Sequence, residues 1–195
     1  RDNGEHAFRY NIFTQQIELD GVPCQGSTSI DRYYLTLARL GYKCNKDTAF
    51  DCVVQVAREN EYNPVVDYLE KVYTTELPAY IDRLASTYLR PEEKDLPNPT
   101  IYDDMLKKTL IAAVARAYKP EGHKFDNACV LLGEQGARKS SFWYTLGQEF
   151  FSDGLRDING KDALMILHRS WICELAELES ITSKKMAGDI KSFLS

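Results

Sequence analysis

Lys139, Ser140 and Ser141 stand at the outlet of a glycine-bearing turn, and that is where this chain could do chemistry. An apolar run from Ala128 to Leu132 leads into Gly133-Glu134-Gln135-Gly136-Ala137-Arg138-Lys139-Ser140-Ser141, and an amphipathic segment follows. Strand, loop, helix is the order of parts in a nucleotide phosphate cradle. Dense negative charge is met there by inward backbone N–H groups, a helix N-terminus and one ammonium. A hydroxyl just after the lysine can hold Mg²⁺. The full pattern is G-x-x-x-x-G-K-[ST]; Gly133, Lys139 and Ser140 fall on it, and Arg138 stands where it has its second glycine. Gly136 supplies backbone freedom two residues earlier. Arg138 must therefore accept a glycine-like backbone at some strain, or the loop must differ locally; its side chain points outward or adds a second cation near the phosphates. The competing structural reading is a plain glycine-rich turn between a buried strand and a basic helix start.

A second acidic stretch supports the first. Ser170-Trp171-Ile172-Cys173-Glu174-Leu175-Ala176-Glu177 reads as a short apolar strand ending in acids. Its distance from the loop leaves room for one helix and a crossover to a parallel strand. Acids on such a strand support Mg²⁺ and polarise the attacking water in nucleotide hydrolysis. Glu174, closing the apolar run, is the metal-side candidate, and Glu177 the base or water-positioning candidate. Glu179 reads as a solvated charge.

Several stretches together resemble the virulence-associated protein E family of phage and mobile-element proteins. Ile111 to Asp126 is similar to the family's lead-in, Gly133 to Ser141 to its phosphate loop, and Trp171 to Glu177 to its tryptophan, apolar, Glu-Leu-x-Glu element. Lys191 to Ser195 and Tyr62 to Leu69 also resemble family segments. The resemblance implies a P-loop ATPase close to superfamily 3 helicases and phage primase-helicases. It further implies ATP and Mg²⁺ as cofactors, single-stranded DNA as partner of the full-length protein, and a homo-oligomeric ring. The family loop often has glycine where Arg138 stands. The family also continues to a sensor strand and arginine-bearing segments beyond the point reached by Ser195, so a piece of a longer protein is expected.

The elements that must position these residues are expected as an α/β fold. A mostly helical accessory region, residues 1–75, would precede a truncated P-loop NTPase core, residues 76–195, with parallel strands and flanking helices. One or two short strands are expected within residues 7–18, with a turn at Asp20-Gly21. Helices are expected after Thr28 or Ser29, from Asp47 or Thr48 with Phe50, Val53, Val54 and Ala57 inward, and from Asn63-Pro64 to about Tyr73. Another runs from Pro78 to about Tyr88, and the proline-rich stretch after Arg90 is a linker. A long helix spans about Thr100 to Tyr118, with Met105, Leu106, Leu110, Val114 and Ala117 at helical spacing. Then come a first core strand at Asn127–Leu132, a helix from Ser140 to Phe151 burying Phe142, Leu146 and Phe150, a helix at Asp162–His168, the strand Trp171–Glu174, and a final helix after Thr182 or Ser183. Trp143 and Tyr144 read as packing aromatics rather than a base-stacking pair.

Composition narrows the function classes. A net charge of −5 argues against broad electrostatic capture of nucleic acid by this chain, though not against a local basic surface. Five scattered cysteines without C-x-x-C pairing point to reduced thiols in a cytoplasmic protein rather than zinc ligands. His6, His123 and His168 lack partners at ligand spacing, and Lys107-Lys108 and Lys184-Lys185 read as solvated helix faces. No apolar run is long enough to span a bilayer, so no membrane partner is expected. Two functions remain: a DNA-directed ATPase motor, and a nucleotide-gated interaction module without helicase activity. A small-molecule kinase would need an arginine-bearing lid after the second strand, and none is visible.

Overall fold

The computed structural model describes residues 8–24, 30, 33–78, 80–91, 101–119, 123–155 and 161–175. The expected final helix, Glu177 and Glu179 lie outside these residues, as do the cap at Thr28 or Ser29 and most of the proline-rich linker. The architecture is mixed α/β with parallel strand pairs, and the chain divides into two compact units, residues 1–67 and 68–195.

In the first unit, β1 (Phe8–Asn11) and β2 (Gln16–Leu19) form a hairpin, and β3 (Val22–Pro23) returns after the Asp20-Gly21 turn. Asp20 at φ 54° and Gly21 at φ 77° give that turn its left-handed corner. β4 (Glu61–Tyr62) adds to the other side of β1 in parallel, so the sheet order is β3-β2-β1-β4. Helix α1 (Tyr33–Arg39) precedes α2 (Lys46–Glu59). Asn45 caps α2, its side-chain oxygen accepting from Thr48 N at 2.7 Å. Phe8, Ile30, Val53 and Ala57 form the core, with Tyr33 edge-on to Phe8 at 4.6 Å. Phe50 is an exception to the expected inward face: Ala49 takes the buried position and Phe50 faces solvent.

The division between units falls within α3 (Pro64–Thr75). In the second unit, the expected helix after Pro78 is replaced by a 3₁₀ turn, Ile81–Arg83, and a π-helical turn, Ala85–Leu89. Asp103, at 1% exposure, stabilises that turn from α4 (Ile101–Tyr118). Its carboxylate accepts from Ser86 N at 2.9 Å and from the Ser86 hydroxyl. Leu106 and Ala117 of α4 are buried as expected, whereas Met105 is exposed. Helix α5 (Lys139–Gly147) passes through a 3₁₀ turn, Gln148–Phe150, directly into β5 (Phe151–Leu155). Helix α6 (Lys161–Leu167) then crosses to β6 (Ile172–Leu175), which runs parallel to β5. Leu155 and Ala163 are the centre of this sub-core, with Leu167, Cys173 and Leu175 around them.

One expected element is corrected. Residues 127–132 form no strand: Val130 is 52% exposed and Leu132 90% exposed, and none of these residues enters a ladder among the described residues. An apolar run becomes a strand only when a neighbouring strand takes up its N–H and C=O groups, and here β6 pairs instead with β5. No described helix is long and apolar enough to cross a membrane.

Candidate functional site

The turn between residue 133 and α5 is built by two left-handed corners. Gly136 lies at φ 83°, where glycine carries no steric penalty. Arg138 lies at φ 59°, ψ 28°, a conformation that disfavours any residue with a Cβ. The strain expected at this departure from the glycine pattern is therefore present. Ala137 N bonds Glu134 O at 3.3 Å, and Phe142 N bonds Arg138 O at 3.1 Å, opening the helix.

Lys139 is turned back over the loop that precedes it. Its Nζ donates to Gly133 O at 2.8 Å and Glu134 O at 2.9 Å. Ser140 Oγ donates to Glu174 Oε1 at 2.7 Å, across a separation of 34 residues. The other oxygen, Glu174 Oε2, is buried without a hydrogen-bond partner. A carboxylate oxygen closed off from water and unpaired is unfavourable unless something cationic or protic meets it. Hydroxyl and carboxylate together are hard oxygen donors of the kind Mg²⁺ prefers. Among the described residues no group of three or more His, Cys, Asp and Glu side chains could enclose a metal alone. The pair fits Mg²⁺ in its usual mode, with one or two protein ligands and the remainder from phosphate and water.

Of the residues singled out from sequence, Gly133, Glu134 and Lys139 are thus in mutual contact, and Ser140 and Glu174 are in contact. Gln135, Gly136, Ala137 and Arg138 are exposed along the turn, and Ser141 is exposed on the first turn of α5, its carbonyl accepting from Thr145 Oγ1 at 2.8 Å. Trp143 is half-buried and edge-on to Phe142 at 5.2 Å; Tyr144 is exposed but edge-on to Phe151 at 6.0 Å. All five cysteines are free thiols. Burial pushes the Cys129 and Cys173 thiols up, with Asp153 and Glu174 adding to the effect at Cys173.

Supporting contacts absent from the sequence reading hold α5 and β6 in place. Tyr68 OH donates to Leu146 O at 3.0 Å, near the end of α5. Its ring lies 5.9 Å from Phe150 and 6.3 Å from Trp171. Trp171 Nε1 donates to Ala113 O at 2.9 Å, and its backbone N to Phe150 O at 2.8 Å. Arg116 clamps the lead-in by donating to His123 O at 3.0 Å and Phe125 O at 3.4 Å. The tryptophan before the acidic strand was the available signal for this scaffold; Tyr68 and Arg116 carry none that spacing reveals.

The family model of the virulence-associated protein E-like domain matches residues 71–195. The chain belongs to this family. Membership ties the chain to phage- and mobile-element-associated proteins, as the resemblance implied. The match begins within α3 and takes in the loop, α5, β5 and β6. No curated protein matches the chain.

Proposed function

We propose that this chain binds ATP with Mg²⁺ in the turn Gly133–Ser141 and serves as the P-loop ATPase domain of a cytoplasmic phage or mobile-element replication protein, helicase-like and directed to DNA. The supporting observation is the Ser140–Glu174 pair, with its buried unpaired oxygen, next to Lys139. The backbone of the turn Gly133–Arg138, together with the N-terminus of α5, cradles phosphate, as helix N-termini do. Lys139 exchanges its two carbonyl partners for β- and γ-phosphate oxygens. Ser140 and Glu174 hold the metal, and Glu177 orients the attacking water. Bound Mg²⁺ supplies neutralisation of charge on the phosphates; the protein supplies position and electrostatics, which is what phosphoryl transfer demands. A ring of copies acting on single-stranded DNA completes the motor reading, with the first compact unit, residues 1–67, as its accessory domain.

The net charge of −5 favours a second reading, a nucleotide-gated interaction module that binds ATP without unwinding DNA. Acceleration of ATP turnover by single-stranded DNA supports the motor; turnover indifferent to DNA supports the module.

Titration calorimetry with ATP and Mg²⁺ tests the site itself. Removing one charge-assisted contact in Lys139→Ala should weaken ATP about 10- to 100-fold. Unchanged affinity in that variant would remove the assignment.

A further inference from the structure

We infer that Arg138 is a second cation of the loop, one that separates nucleoside triphosphates from diphosphates. This rests on the phosphate-loop reading above and names the ligand class the site selects.

Position 138 is the one place where the chain departs from the glycine pattern, and the backbone there keeps the glycine conformation, φ 59° and ψ 28°. An arginine is held in it at a steric cost that glycine avoids. The residue is not free to relax, because its carbonyl accepts from Phe142 N at 3.1 Å and so opens α5. The corner therefore fixes where the side chain leaves the loop. Its guanidinium has no hydrogen-bond or ion-pair partner among the described residues. The adjacent cation is disposed differently, since Lys139 Nζ is engaged with Gly133 O and Glu134 O. One cation is thus folded into the loop and its neighbour has no partner among the described residues.

An independent sign of a ligand at the same end is the buried, unpartnered Oε2 of Glu174, whose other oxygen is bonded to Ser140. A metal held there would accompany a polyphosphate, since two protein oxygens alone do not complete its shell. A diphosphate presents charge that one ammonium and the metal can match. A third phosphate adds charge and three acceptor oxygens, and a guanidinium fork is suited to such a group through paired N–H donors.

Titration of the 195-residue chain with Mg²⁺ and either ADP or the non-hydrolysable β,γ-imido analogue of ATP tests the inference. Arg138→Gly removes the cation while supplying the residue that the backbone favours, so the variant folds and its thermal midpoint is expected at or above that of the parent. The preference for triphosphate over diphosphate should fall about tenfold, with ADP affinity changed by less than about twofold. Arg138→Lys, which keeps charge without the fork, should retain an intermediate preference. An unchanged preference in Arg138→Gly overturns the inference and leaves the phosphate-loop reading standing. Equal weakening of both nucleotides also overturns it, because Arg138 would then act as general positive charge. If the parent chain binds neither nucleotide, the underlying reading falls with it.

Discussion

Glu18 is an acid on a strand facing the interior, which is uncommon without partners. Asn11 Nδ2 donates to its Oε1 at 2.8 Å, and the Tyr62 hydroxyl donates to its Oε2. Arg9 lies over the Tyr62 ring at 3.8 Å. Burial, then the Glu18 carboxylate, push the Tyr62 phenol up from 10.0 to about 12. The folded state thus holds this proton more tightly than the unfolded one. The linked stability is complete below pH 10 and is lost as pH rises from 10 toward about 12. Tyr62→Phe also leaves Glu18 Oε2 without its donor, so the variant should be less stable at neutral pH. Denaturant unfolding followed by circular dichroism should show the gap between parent and variant shrinking across that alkaline window. A gap that stays constant through it would detach the phenol from the stability of the first unit.

At the scale of elements, the close approach that matters is where α5 ends. Gly147 is buried, and a Cβ built on it would lie 2.9 Å from Phe151 Cβ and 3.5 Å from Ile172 Cβ. Both obstacles are side-chain stems on β5 and β6, which cannot swing aside. Gly147→Ala should destabilise the second unit by about 1–3 kcal/mol and shift α5 against β6, where Ser140 meets Glu174. Thermal melting measures the first effect, and loss of ATP affinity the second. The contrast between β6 and residues 127–132 shows what sequence could disclose. The helix start at Asn63-Pro64 was legible from its cap and first-turn proline, because that signal is local, whereas the helix expected from Ser140 to Phe151 ends at Gly147. The loop residues and Glu174 stood out because their types and spacing are those of a specific chemistry, and the fold brings Ser140 to Glu174. The strand at 127–132 was misread because apolar content is necessary for a strand but pairing defines it. β5 escaped notice because Ser152-Asp153-Gly154 interrupts its apolar character and its register slips between Ser152 and Leu155. Its partner β6 is distant in sequence, so only the folded arrangement reveals the ladder.

For the whole molecule, the division at residues 67 and 68 means that each unit has its own core, Phe8, Ile30, Val53 and Ala57 in one and Leu155 with Ala163 in the other. Leu155→Ala should cost about 2–4 kcal/mol, and hydrogen exchange should show lost protection within residues 68–195 while residues 8–67 keep theirs. Spread of the loss across both units would mean that they unfold as one. The placement of the indoles has an optical corollary. Both tryptophans of the chain, Trp143 and Trp171, lie in the second unit, one on the helix that opens at Lys139 and the other at the threshold of β6. Intrinsic emission excited at the indole band is consequently a label-free gauge of the second unit alone, and the first unit is dark to it.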